Sequence, residues 1–448
     1  MSTTDGNRSS TTGEQTVLAF DSTSEETQVI AEGFPDLPRR SLLMHVPSSV
    51  THRKLVLAFD VGTTFSGISY CILDPEIRSV ARFPAGDEIR VFLKIPTAIY
   101  YDTHGKVRAA GAEVSQEGIY ETAEEEGWTK AEWFKHHFRP EGNATASQLP
   151  PLPPGKSVID VLADFLRYLF QCTQTYIEGT YPRDANLWPS LVNDMDFLLS
   201  HPNGWGVPQQ TQMREAAVFA GLVPDDRSGR NRIFFVTEGE ANLHFAIHNG
   251  LSPSTLMESE GVIIVDAGGG TIDISDFACN ADIPTFNEIA PPQCHFHGSV
   301  FVSINARNFL EVLLSESPFI EDLQHIVRCF DRTTKLRFRN PEEASQFIKF
   351  GSTRDNDLNC NIRFGQLKLK GDVVAGFFEP SIQCIIEAVH AQHKSGQMKS
   401  KNVILVGGFA ANDWLYTQVV ERLKPDGFTV IRPDHGCVVF LSICFYYS

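Results

Sequence analysis

Long apolar runs, an apolar stretch among the first residues and an excess of basic residues are all missing from this 448-residue sequence. The longest apolar run, Cys437–Tyr447, is about half of the ~20 residues that a membrane-spanning helix needs. The first 15 residues contain no hydrophobic stretch of the kind that a secretory signal requires. Basic residues number 38 against 55 acidic ones, and the formal charge of −17 argues against a nucleic-acid or anionic-membrane partner. We therefore expect a cytoplasmic location.

A CxxC motif is also missing, and the nine cysteines are scattered and odd in number. This usage favours a reducing compartment. Cys294, His295 and His297 offer metal-binding side chains on one short stretch, but Pro291 and Pro292 beside them favour a loop over a zinc site. With 42% hydrophobic residues the chain is ordinary globular protein, and its length predicts two lobes.

Three segments share one pattern, an apolar run that ends in a glycine-rich turn. They are residues 55–67 (LVLAFDVGTTFSG), 262–273 (VIIVDAGGGTID) and 402–409 (NVILVGGF). Glycines after a buried strand let backbone N–H groups approach an anion closely. An aspartate near the end of the first two strands can hold a hydrated divalent cation without blocking the phosphates. One such turn alone is also a common strand connection, but three in this order predict a nucleotide site between two lobes.

These segments resemble the phosphate and adenosine loops of the actin-like ATPase superfamily, and within it those of the heat-shock-70 family. DVGTTFSG (60–67) is similar to the first phosphate loop, DAGGGTIDIS (266–275) to the second, and ILVGGF (404–409) to the adenosine loop. The resemblance implies an α/β, duplicated actin-like (ribonuclease-H-like) ATPase fold, with two lobes around a nucleotide cleft. It implies ATP and Mg²⁺ as ligands and slow hydrolysis that drives lobe opening and closing. We place lobe I at 53–240 and lobe II at 241–432, after a disordered tail at 1–52.

Roles follow from the resemblance position by position. Asp60 and Asp266 would hold the Mg²⁺ shell mostly through its waters, although either is also a common turn residue. Asp273 would accept from the attacking water or support the metal shell. The nucleotide-binding set consists of Gly62, Thr63, Thr64, Gly268, Gly269, Gly270, Thr271, Gly298, Ser299, Gly407 and Gly408.

The cation that faces the γ-phosphate is assigned by the resemblance to Lys135, with Lys130 as the alternative. Either lysine is otherwise typical of a solvated helix. Glu238 falls where the family has an Asn-Glu-Pro-Thr-Ala-Ala segment, but the Asn and Pro are absent here, which puts its water-positioning role in doubt. Asp331 and Lys335 correspond to the acidic and basic residues that grip the adenine ribose.

Periodicity predicts the remaining elements. Ser157 and Asp160 form a capping box at the start of a helix. Further helices are predicted at 121–137, 209–221, 238–250, 301–314 and 377–393, with 321–350 mostly helical, and further strands at 67–73, 90–101, 196–200, 233–236, 272–279 and 428–432.

Two other functions stay open at this stage. The eroded Glu238 segment fits a nucleotide-sensing interaction protein with little catalysis. A small-molecule kinase of the same superfamily would share the DxGTT opening, but such kinases rarely have the GGGTxD loop. Since only 40 residues follow Gly408, we expect no peptide-binding domain of the family, and we expect the chain to be closer to the divergent branch that lacks it (the twelfth family-A type and its fungal relatives). The uncharged apolar end of 433–448 predicts a truncated, marginally stable product.

Overall fold

The computed structural model describes residues 54–72, 78–83, 93–138, 149–184, 186–203, 205–248, 261–280, 285–342, 345–396 and 400–433. The predicted N-terminal tail, and all of the predicted C-terminal tail except residue 433, lie outside these ranges and stay predictions. None of the helices within them combines the length and apolar character that a bilayer crossing requires.

The strands in the described ranges are β1 Leu55–Val61, β2 Phe65–Ile72, β3 Arg78–Ser79, β4 Lys94–Pro96, β5 Ala98–Tyr101, β6 Val107–Ala110, β7 Thr129–Glu132, β8 Met195–His201, β9 Ile233–Thr237, β10 Val262–Ala267, β11 Ile272–Asn280, β12 Thr285–His295, β13 Gln346–Lys349, β14 Ile362–Arg363, β15 Gln366–Leu369, β16 Asn402–Val406 and β17 Thr429–Ile431. The α-helices are α1 Ile119–Glu125, α2 Val158–Thr180, α3 Leu187–Leu191, α4 Val207–Phe219, α5 Arg227–Arg230, α6 Glu238–His248, α7 Ser299–Leu313, α8 Leu323–Arg332, α9 Thr334–Arg337, α10 Gly371–Ser395 and α11 Asp413–Leu423.

Two sheets repeat one strand order. The first runs β3-β2-β1-β8-β9, with β4 also paired to β2, and the second runs β12-β11-β10-β16-β17. In both, the central strand (β1 or β10) pairs antiparallel with the next strand of the chain and parallel with a distant one (β8 or β16). The predicted α/β class is confirmed, and the repeated order places the ends of β1 and β10 at equivalent positions of the two sheets.

Each sheet is covered by its own apolar core. Phe59, Leu166 and Phe197 belong to the cluster on the first sheet, whereas Val265 and Phe378 belong to that on the second. Burying a side chain of this size contributes roughly 1.5–3 kcal/mol, so these two clusters fix where the strand ends lie.

Helix α6 contacts both sheets. Its Ala241 packs with Val56 and Ala58 of β1, and its Leu243 packs with Ile264 of β10. The predicted lobe boundary at 240/241 falls inside this helix and stays a prediction.

The predicted capping box at the start of α2 is confirmed. The Ser157 backbone N–H donates to Asp160 Oδ2 over 2.9 Å, and the Asp160 N–H donates to Ser157 Oγ over 3.2 Å. These two bonds satisfy donors that have no partner inside the helix.

The predicted helix at 121–137 is wrong. Helix α1 ends at Glu125, and Gly127 then takes a positive φ that stops the helix. Residues Thr129–Glu132 form β7, which pairs antiparallel with β5, and residues 134–138 form a single 3₁₀ turn. Alternation around buried Ala131 in a sheet outweighs the helical propensity of this charged segment.

Two further segments differ from prediction. Residues 346–349, expected to be helical, form β13 because Ile348 is buried against the antiparallel partner β15. The expected loop at Pro291 and Pro292 is part of β12, an outer strand of its sheet, where both prolines fall in an irregularity of the register with β11. An edge strand tolerates proline there, since its missing N–H breaks no ladder bond.

Candidate functional site

The first predicted loop is a turn between β1 and β2 that only glycine fits. A Cβ added at Gly62 would collide with the Phe65 carbonyl oxygen. The turn is anchored from outside, because the Thr97 N–H donates to the Thr64 carbonyl over 2.8 Å and the Ser66 and Thr97 hydroxyls lie 2.7 Å apart. Asp60 and Thr63 are both buried beside this turn.

The second predicted loop, Gly268–Thr271, lies against the start of α7. The N–H groups of Gly298, Ser299 and Val300 donate to the carbonyls of Gly270, Gly268 and Gly269 over 3.2, 3.1 and 2.9 Å. A Cβ at Gly298 would collide with the Gly269 and Gly270 backbone. These contacts fix the second loop to the start of α7, and the part of Gly298 and Ser299 in nucleotide binding stays a prediction.

The two loops face each other directly. A side chain at Gly269 would collide with Thr64, and one at Gly270 would collide with the Thr63 hydroxyl and His136. The structure thus brings together hydroxyl-bearing and glycine-rich turns that lie some 200 residues apart in sequence.

The third predicted loop, Gly407–Gly408, packs against the end of β10, where the second loop begins. Gly407 has a φ of +95°, and a Cβ there would collide with the Asp266 carboxylate and the Ala267 carbonyl. Around Gly408 there is open space. The third loop therefore closes on the end of β10.

Charged side chains converge on these turns. Lys135 Nζ donates to Glu238 Oε1 over 2.5 Å, and both side chains are largely buried, with 8% and 13% exposed. Burial lowers the pKa of Lys135, but the carboxylate of Glu238, and after it those of Asp60 and Asp273, outweigh burial and raise the pKa above its usual value. The alternative, Lys130, pairs instead with Glu132 of its own strand over 2.6 Å.

Asp266 and Asp273, on either side of the second loop, both lie near the Glu238 carboxylate. Burial, and next the neighbouring Glu238 carboxylate, raise the pKa of Asp266 to about 7 against an opposing hydrogen bond from Asn242. The same two causes raise the pKa of Asp273 to about 7 against an opposing bond from Thr271. A carboxylate in such a place is stabilised in its charged form by a cation.

Some contacts of the site were not predicted from the sequence. Lys94 Nζ lies 3.0 Å from Asp60 Oδ2 and also lowers the pKa of Asp266. Asn242 Nδ2 donates to Asp266 Oδ2 over 2.7 Å, and the Asn203 N–H donates to Asp273 Oδ1 over 2.9 Å. The sequence gives a signal only for Asn242, which lies one turn after Glu238.

The predicted ribose-binding pair lies behind the start of α7. Lys335 Nζ donates to the Ser299 carbonyl over 3.1 Å, to Ser303 Oγ over 2.9 Å and to Asp331 Oδ1 over 3.0 Å. Asn412 in turn donates to the Lys335 carbonyl over 2.9 Å. Lys335 and Asp331 are thus brought to the second loop through Ser299, and their part in ribose binding stays a prediction.

The carboxylates of the candidate site are oxygen donors of the kind that Mg²⁺ takes, directly or through its waters. Among the described residues no three Asp, Glu, His or Cys side chains lie close enough to ligate one ion. Asp273 Oδ2 is nevertheless buried without a hydrogen-bond partner in the described part of the chain. Oxygen donors that act through water are the set that Mg²⁺ prefers, and this fits the predicted role of Asp60 and Asp266.

Two α/β sheets that repeat one strand order, with facing glycine turns and a cluster of carboxylates, are features that the resemblance to the heat-shock-70 family implies. Comparison with known proteins bears this out. The chain is 24% identical over 473 residues to heat shock 70 kDa protein 12A of Mus musculus and of Homo sapiens, covering 85% of this chain and 67% of each relative. It is 22% identical over 471 residues to heat shock 70 kDa protein 12B of Homo sapiens, covering 86% of this chain and 67% of that protein. No family model matches the chain. The predicted relationship to the heat-shock-70 family is confirmed.

Proposed function

We propose that this protein binds ATP with Mg²⁺ between its two repeated sheets and hydrolyses it slowly. The observation that carries the proposal is the direct contact of the turn at Thr63 and Thr64 with that at Gly269 and Gly270. Two glycine-rich turns that approach each other offer backbone and hydroxyl donors to one polyphosphate from both sides. The relationship to heat shock 70 kDa proteins 12A and 12B supports the same reading.

The residues of the candidate site would have separate roles in binding the phosphates and the metal ion. Thr63, Thr64 and Thr271 would donate to phosphate oxygens, and Lys135 would face the γ-phosphate with a fixed positive charge. Asp60 and Asp266 would hold a hydrated Mg²⁺, which when bound offsets the negative charge of the phosphates.

Proton transfer has two candidates. Asp273 and Glu238 are the carboxylates that would orient water and accept its proton. Of the two, Asp273 has the oxygen without a hydrogen-bond partner among the described residues, whereas Glu238 is bound to Lys135. This favours Asp273 as the acceptor and Glu238 as the residue that holds Lys135.

The test is isothermal titration with Mg-ATP of the wild type and of an Asp60→Asn, Asp266→Asn variant. We expect about 10- to 100-fold weaker binding in the variant, the usual loss when groups around a metal are removed. Asp276→Asn is the matched control, because Asp276 is a buried aspartate of the same sheet that accepts from Ser400 and lies away from the turns. Equal affinity in wild type and double variant would contradict the site.

Slow hydrolysis is distinguished from nucleotide sensing by a single-turnover measurement on the wild type. Conversion of bound ATP to ADP and phosphate faster than the spontaneous reaction supports an ATPase. Tight binding without conversion would favour the sensing protein, which the Lys135–Glu238 pair also permits because both groups already neutralise each other.

A further inference from the structure

Lys94 reaches the candidate site by a route that depends on strand register. Asp60 of β1 lies opposite Gly67 of β2, and Gly67 lies opposite Lys94 of β4. Side chains of directly opposite residues project from the same face of a sheet. Asp60, Gly67 and Lys94 therefore form one row, in which the middle residue has no side chain.

That missing side chain gives Lys94 its path. A Cβ added at Gly67 would stand 3.5 Å from Lys94 Cγ and 3.1 Å from the Leu93 carbonyl oxygen. The lysine stem crosses above Gly67, and Nζ stops 3.0 Å from Asp60 Oδ2. The Lys94 side chain is 27% exposed and that of Asp60 10%, so water screens the pair only in part.

The charge of the site makes this lysine significant. In the described part of the chain the cluster contains the carboxylates of Asp60, Asp266, Asp273 and Glu238, and the ammonium groups of Lys94 and Lys135. Lys135 is already hydrogen bonded to Glu238. Lys94 is thus the cation held against Asp60, the residue expected to hold the metal shell of the first loop.

Resting on the proposed nucleotide site, we propose that Lys94 is a tethered cation that takes over part of the divalent-cation requirement of nucleotide binding. A fixed ammonium group beside Asp60 neutralises this carboxylate whether or not Mg²⁺ is present. Nucleotide then enters a site in which the repulsion between Asp60 and the phosphates is already reduced. The affinity of this chain for nucleotide should depend on Mg²⁺ less than that of the same site without the lysine.

The experiment measures the Kd of ADP by isothermal titration in excess EDTA and in excess Mg²⁺, and compares the ratio of the two values between variants. For the wild type we expect a ratio below about tenfold, and for Lys94→Gln at least about ten times the wild-type ratio, the effect of one opposite charge within 4–6 Å. Lys94→Arg keeps the charge and should keep the wild-type ratio. Lys130→Gln is the matched control, since Lys130 pairs with Glu132 on the neighbouring small sheet.

Lys94→Met gives a second measurement should Lys94→Gln not fold. It keeps the apolar stem above Gly67 and removes the charge beside Asp60, so the ratio should rise above that of the wild type. A ratio for Lys94→Gln equal to that of the wild type, or a wild-type ratio of about a hundredfold or more, overturns the role of Lys94 while leaving the nucleotide site intact. Absence of ADP binding to the wild type in both buffers overturns the proposed function as well.

Discussion

Replacing Lys135 with methionine should destabilise the protein by an amount that depends on pH. The substitution keeps the length of the apolar stem but removes the charge that lies 2.5 Å from Glu238 Oε1. With only 8% and 13% of the two side chains exposed, water cannot replace the lost partner. Glu238 would remain beside the carboxyl groups of Asp266 and Asp273 without the cation that it now holds.

The loss in the free energy of unfolding is limited by what it takes to protonate Glu238, which removes its unpaired charge. A glutamate in an unfolded chain has a pKa of about 4.3, so protonating it at pH 7 costs about 2.7 units at 1.36 kcal/mol each, or about 4 kcal/mol. At pH 5 the same step costs about 1 kcal/mol. The first figure agrees with the roughly 3–5 kcal/mol lost when one partner of a buried ion pair is removed.

Urea unfolding at pH 7 and pH 5, followed by circular dichroism, measures both values. The double variant Lys135→Met, Glu238→Gln removes both charges and should recover most of the loss. Lys130→Met is the control, because its pair with Glu132 is about a third exposed and should cost at most about 1 kcal/mol. A loss that is equal at the two pH values, or a double variant no more stable than Lys135→Met, would refute the reasoning.

Two further outcomes test other parts of the structure. Burial raises the pKa of Asp276 to about 6, so between about pH 4 and 6 the folded protein keeps a proton that the unfolded chain releases. The free energy of unfolding of the wild type should therefore fall as pH rises through this range, and Asp276→Asn should remove about 3 kcal/mol of the fall in urea titrations. An unchanged pH dependence in the variant would show that Asp276 is not the source. Gly407→Ala should lower the free energy of unfolding by about 1–3 kcal/mol, because alanine is strained at φ +95° and its methyl group would collide with Asp266. Gly408→Ala should leave stability nearly unchanged, because its methyl group meets open space. Equal melting temperatures for the two variants in thermal unfolding would contradict the tight packing of the third loop.

The strands that carry the loops could be predicted from local sequence. Each is an apolar run followed by glycine, and β1, β10 and β16 lie within a residue or two of their predicted positions. The helix predicted at 121–137 failed for a reason that sequence alone does not reveal. Residues 129–132 become a strand only because β5 supplies a partner, and propensity yields to such pairing.

The site was predictable where its residues belong to the loops themselves. The local sequence identifies three aspartates because they lie next to the glycine turns, namely Asp60, Asp266 and Asp273. Lys94 does not, because it is 34 residues from Asp60 and becomes its neighbour only through two successive strand pairings. A register shift of one residue would turn it to the other face of the sheet, so no local pattern could have identified it.

Helix α6 explains how charge at the site is linked to both sheets. Its first residue, Glu238, holds Lys135, while Asn242 one turn later donates to Asp266 of β10. The Gly239 N–H donates to Asn203 Oδ1 over 3.1 Å, and the Asn203 N–H donates to Asp273 of β11. The apolar face of the same helix packs on β1 and on β10. Helix α6 therefore contacts both sheets and also holds charged groups of the candidate site through Glu238 and Asn242.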